Sequence, residues 1–167
     1  MAENEGPLFP PAGDANGEDT QPQVGMVAQY VKDFSFENPN APAVYSWGTQ
    51  PRIDVQFNIA TQQVAEDLHE TALKIEITAE GDEGVAFKLE LLYGGLFALR
   101  NVPADAVQPF VLGEAPRLMF PFARRVVADA VRDGGFPPLM LDPIDFNGLY
   151  YAQLAQQGAM GEPAGQA

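Results

Sequence analysis

The stretch GDEGVAFKLELLYGG, Gly81–Gly95, decides the fold. It opens with a tight turn, Gly81-Asp82-Glu83-Gly84, and continues into a strand. Val85, Phe87, Leu89, Leu91 and Tyr93 share one face of that strand, and Lys88 and Glu90 share the other. Successive strand side chains point to opposite faces, so apolar residues at every second position mark a half-buried strand. The turn pairs it with a preceding strand, Thr71–Ala79, in which Leu73, Ile75 and Ile77 oppose Lys74, Glu76 and Thr78. Ile53–Ile59 alternates in the same way, with Ile53, Val55, Phe57 and Ile59 against Asp54, Gln56 and Asn58. A first strand is expected over Met26–Phe36. At its end, KDFSFENPNAP (Lys32–Pro42) puts Asp33 and Glu37 on one face and Phe34 and Phe36 on the other, then stops at a Pro-Asn turn. Short turns favour antiparallel pairing. The longer Asn38–Arg52 connection, with three prolines and Trp47, is expected to be a crossover loop, and Gly94-Gly95 to end the sheet.

Helices follow. Ala104–Leu112 is expected to be a short helix, stopped by Gly113 and Pro116. Arg117–Arg132 is the longest, with Pro121 near its start and an apolar stripe of Val126, Val127, Ala130 and Val131. Gly134-Gly135 closes it. Asp145 can N-cap a last helix carrying Phe146, Leu149, Tyr150 and Leu154. Strands followed by helices give an α+β fold, a four-stranded antiparallel sheet and then helices.

A chain of 167 residues, 46% hydrophobic, suits one domain with a real core. Its net charge of −14 disfavours nucleic acid and anionic membrane, which need clustered Lys and Arg, and favours a basic protein partner or simply high solubility. Without cysteine there is no disulfide, thiolate metal site or cysteine nucleophile. No apolar run approaches the roughly 20 residues of a membrane span, and the N-terminus lacks a secretory signal pattern, so a cytoplasmic protein is expected. Residues 1–24, rich in Pro, Gly and acids, read as a disordered acidic tail, residues 25–157 as the domain, and residues 158–167 as a flexible tail.

Enzyme chemistry finds little support. His69 is the only histidine, no metal-ligand cluster or Walker loop is present, and no cofactor is implied. Asp33 and Glu37 stand about 13 Å apart along a strand, beyond the ~5–9.5 Å of a glycosidase pair. No catalytic residue is assigned. Large apolar residues outside regular periodicity fit a tolerant apolar groove, or, taken singly, ordinary core under long loops: Tyr45 and Trp47 in the crossover loop, Met119, Phe120 and Phe122 on the long helix, and Phe136, Leu139, Met140 and Leu141 in a Pro-rich loop.

Read in order, KDFSFENPNAP (Lys32–Pro42), Gln50-Pro51 after Trp47, AFKLELLYGGLF (Ala86–Phe97), LMFPFAR (Leu118–Arg124) and GGFPPLMLDPIDFNGLY (Gly134–Tyr150) resemble the SecB family of export chaperones. The blocks cover nearly everything between the tails. The resemblance implies a homotetramer, a dimer of dimers, that holds unfolded preproteins without ATP and passes them to the SecA ATPase. It implies a SecA-binding acidic face carrying Asp33, Glu37 and Glu90, and a client-binding groove at Trp47, Phe122 and Tyr150, with Val55 and Phe57 as strand-two candidates. Lys88 departs from the pattern, since an apolar residue can occur there, and a cation among carboxylates weakens local attraction to a basic partner. The C-terminal tail also contributes to SecA binding in the family, and here Glu162 is its one charge. Two other readings share the scaffold: a SecB-like chaperone of a toxin–antitoxin system, and a small-ligand-binding domain or enzyme.

Overall fold

A computed structural model describes residues 20–161 of the chain. Four strands, β1 (Gln23–Glu37), β2 (Arg52–Ala65), β3 (Leu68–Gly81) and β4 (Gly84–Arg100), form one sheet in the order β1-β4-β3-β2. Every neighbouring pair is antiparallel. Three helices follow: α1 (Ala104–Pro109), α2 (Ala115–Asp133) and α3 (Phe146–Gly161). The α+β architecture is the expected one. β1 and β2 are the two edges, joined across the sheet by the Asn38–Pro51 connection, which contains one 3₁₀ turn at Ala43–Ser46.

The core forms where α2 lies across β3 and β4. Leu73, Ile75, Ile77, Leu89 and Leu91 from the strands meet Met119, Ala123, Val127 and Val131 from the helix, all 0–1% exposed. A period of 2 in the strands thus packs against a period near 3.6 in the helix. The edges are covered less well. Phe36 stacks on Phe87 at 5.8 Å, but Phe34, two residues earlier on the same face, is 42% exposed.

Strands and helices both run past several apparent stop signals. β1 starts at Gln23, ahead of the expected Met26, so Gln23 and Val24 belong to the sheet rather than to a tail. α3 extends to Gly161, past the expected boundary at residue 157. Residues 1–19 and 162–167 of the two expected tails lie outside the described residues. Gly94-Gly95 does not end the sheet, because β4 continues to Arg100. Both glycines serve close approach: a Cβ on Gly94 would lie 2.4 Å from the Tyr30 ring, and one on Gly95 would lie 2.8 Å from Met119 Sδ. Gly113 and Pro116 do not stop a helix either. α1 passes through a π turn, Phe110–Glu114, directly into α2. Pro116 falls at the second residue of α2, where its missing N–H costs little, and the widened turn places Val111 carbonyl 2.7 Å from the Thr71 hydroxyl, which donates to it.

Candidate functional site

The sheet's outer face is polar. Strand register lines up rungs of residues that point the same way. Glu37, Lys88, Thr78 and Asp54 form one rung, Ser35, Glu90, Glu76 and Gln56 the next, and Asp33, Leu92, Lys74 and Asn58 a third. The three expected carboxylates, Asp33, Glu37 and Glu90, therefore share one exposed face. Asp54 and Glu76 join them there, and a shallow depression runs among Asp54, Gln56, Glu76, Thr78, Lys88 and Glu90. Lys88 is not the only cation on this surface. Lys74 sits between the carboxylates and pairs with Glu76 at 3.0 Å. The Glu76 hydrogen bond and charge raise the Lys74 pKa, with smaller contributions from Glu90 and Asp33. Among the described residues, Asp33, Glu37, Glu90 and Asp54 enter no ion pair, so they remain open to outside cations.

Two rungs further along the same face, Glu70 is 8% exposed and is held by three donors. Tyr30 Oη donates to it, Lys32 Nζ pairs with it at 2.8 Å, and Gln62 Nε2 donates at 3.1 Å. Tyr30 and Lys32 reach it from β1 across β4, and Gly94 gives the Tyr30 ring room to pass. Burial pushes the Glu70 carboxyl up, but the bonds from Lys32, Tyr30 and Gln62 outweigh it and the net direction is down. Burial and the Glu70 carboxylate push the Tyr30 phenol up to about 12.

The inner side of the sheet is apolar, including the inward-facing residues of the β2 edge. Trp47, Val55 and Phe57 are half-buried against the core. Trp47 lies 3.7 Å from the position of a Cβ on Gly84, and Phe57 meets Phe120 at 6.3 Å and Phe146 at 6.5 Å. Phe120 and Phe146 themselves touch at 5.6 Å, so Phe57 belongs to a three-ring cluster joining β2, α2 and α3. Sequence reasoning missed the Phe146 partner because nothing in a linear pattern ties α3 to β2. Tyr150 is half-buried and packs on Tyr151 at 5.3 Å, while Phe122 stands 45% exposed on α2. No ring contact among the described residues joins Trp47, Phe122 and Tyr150 to one another. The loop is clasped from both sides. Asn40 Nδ2 donates to Val85 carbonyl at 2.7 Å, and Tyr45 Oη donates to Gly134 carbonyl at 2.7 Å.

The arrangement offers two distinct surfaces, one polar and one apolar. Among the described residues no group of His, Asp and Glu is arranged to hold a metal, and no helix is long and apolar enough to cross a membrane.

Residues 17–157 match the family model of the preprotein translocase subunit SecB. A protein-export protein SecB of Zymomonas mobilis is 61% identical over 92% of this chain and 96% of its own length. One from Sphingopyxis alaskensis is 60% identical over 94% of each. Among solved structures, the Mycobacterium tuberculosis SecB-like chaperone in complex with an antitoxin ChAD peptide superposes with a TM-score of 0.60 at 13% identity. That match covers 72% of this chain and 90% of the other, and it bears on the fold alone.

The Glu70 cluster sets a pH window for stability. A depressed carboxyl contributes stability above its unfolded pKa, near 4.5, and loses it as pH falls through the folded value. A raised phenol contributes fully below its unfolded pKa of 10.0 and loses its share as pH rises toward about 12. Urea midpoints are expected to be flat between these limits and to fall on both sides. Tyr30→Phe removes the phenol's share of the alkaline fall and lowers stability near neutrality by about 1 kcal/mol. An unchanged midpoint in that variant contradicts the role given to the Tyr30–Glu70 bond.

Proposed function

The chain belongs to the SecB family and is a protein-export chaperone, and from that premise we propose how its surfaces divide the work. The observation that carries the reading is 61% identity to a protein-export protein over nearly the whole of both chains. The outer acidic face docks SecA, through Asp33, Glu37 and Glu90. The apolar edge holds unfolded preprotein. β2 supplies an edge strand, with backbone groups free to pair with an extended client, and its own Val55 and Phe57 take apolar side chains. Trp47 walls the groove from the loop, and Phe122 and Tyr150 are its outlying candidates on the helices. Backbone pairing and apolar contact read little sequence, which suits a chaperone of many clients.

The chain works as a homotetramer, a dimer of dimers, in the cytoplasm. Supporting this, β1 is an edge strand on which Val24, Met26, Val27, Val31 and Phe34 are 36–50% exposed in the single chain. A long edge with exposed apolar residues calls for a second copy. The domain responsible takes in the sheet from Gln23 and the last helix to Gly161, somewhat more than residues 25–157. The high net charge keeps such an assembly soluble.

Two measurements test these assignments. Light scattering across a dilution series is expected to give about four times the chain mass of 18.0 kDa, falling toward twice that mass on dilution. A monodisperse monomer at micromolar concentration contradicts the assembly. Separately, Asp33→Asn, Glu37→Gln and Glu90→Gln together are expected to weaken SecA binding at low salt by about tenfold or more, through on-rate, and to leave unfolded-client binding intact. Combined Trp47→Ala, Phe122→Ala and Tyr150→Ala, with circular dichroism confirming the fold, has the opposite pattern. If both variants lose the same activity, the division of labour fails.

A further inference from the structure

The β-bulge in β1 creates an electrostatic problem on the docking face. Register passes from Val31 opposite Tyr93 to Asp33 opposite Leu92, so Lys32 is an extra residue with no partner of its own. A regular strand sends neighbours to opposite faces, but here both neighbours serve the outer one. Asp33 shares its rung with Lys74, and the Lys32 ammonium reaches Glu70, two positions along β3 from Ala72 and four from Lys74. A lysine therefore projects beside a carboxylate that the proposed function needs unpaired. The Lys32 ammonium is 2.8 Å from Glu70 and enters no ion pair with Asp33, whose Oδ1 instead accepts the Phe34 N–H at 3.0 Å. Glu70 is 8% exposed and fixed by Tyr30 and Gln62 as well, so it is a firmly placed anchor.

We propose that Glu70 is a positioning residue for the docking face: it draws the Lys32 ammonium along the sheet and keeps the Asp33 carboxylate available to a basic partner. The inference rests on the reading of this face as the SecA surface. Removing the Glu70 charge releases Lys32, which then neutralises Asp33 and repels the incoming cations. Removing both charges restores the balance.

The test is titration of SecA into folded variants at low salt. Glu70→Gln is expected to weaken binding about fivefold. Lys32→Met binds at least as tightly as the wild type, and the Lys32→Met/Glu70→Gln pair returns to wild-type affinity although Glu70 is still missing. Asp129→Asn, an equal charge change on α2 across the sheet, leaves affinity unchanged and so separates position from net charge. A double variant as weak as Glu70→Gln overturns the proposal, because the effect is then structural. So does a Glu70→Gln affinity no different from wild type while the Asp33, Glu37 and Glu90 triple variant weakens. If that triple variant also binds normally, the reading of the face itself has failed. Should Glu70→Gln not fold, Lys32→Met decides alone: binding weaker than wild type overturns the proposal, and binding at least as tight supports it.

Discussion

One helix covers two strands, and the rest of the structure follows from that packing. α2 seats Met119, Ala123, Val127 and Val131 on β3 and β4, which buries the inner face of the sheet's centre. It does not reach across to both edges. β1 keeps Val31 and Phe34 exposed and β2 keeps Ile53 42% exposed, although all three lie on the apolar side of their strands. The single chain therefore has an incompletely covered inner layer, and both proposed apolar contacts, to a second copy and to a client, use what α2 leaves bare. The outer face, with no helix against it, is free to be polar.

That outer face is more structured than its net charge suggests. Its lysines are largely committed: Lys32 to Glu70 and Lys74 to Glu76. The carboxylates left without an ion pair include Asp33 and Glu37, which strand alternation singled out, and Glu90, which the family resemblance added. The internal pairs differ in strength. Lys74 and Glu76 are 44% and 41% exposed and screened by water, so their pair contributes little to stability. Glu70 is shielded and multiply bonded, so it fixes geometry.

The sequence revealed the elements whose pattern is local. Alternation in Ile53–Ile59 and Val85–Tyr93 identified β2 and β4, and the apolar stripe of Val126–Val131 identified α2. What misled was punctuation with a tertiary purpose. Gly94 and Gly95 read as a stop, yet each makes room for a ring or thioether that arrives from elsewhere. Gly113 and Pro116 read as a break, yet a π turn bonded by Thr71 carries the chain through. The acidic face was legible because strand alternation places Asp33 and Glu37 together. The second cation on it, Lys74, was visible in the same alternation, but its proximity to Asp33 and Glu90 depends on strand order. β1 pairs with β4 and not with β2, and no local pattern carries that.

The central claim is that export-partner docking and client holding use separate surfaces of one sheet. Trp47 is the only tryptophan and lies at the proposed groove, which makes it a direct reporter of client. The decisive measurement is SecA affinity for the protein saturated with a reduced, unfolded model client, with Trp47 emission tracking client occupancy in the same titration. The account predicts a ternary complex with SecA affinity close to that of the free protein and Trp47 emission held at its client-bound value. Displacement of the client as SecA binds, with emission returning to the free value, would contradict it.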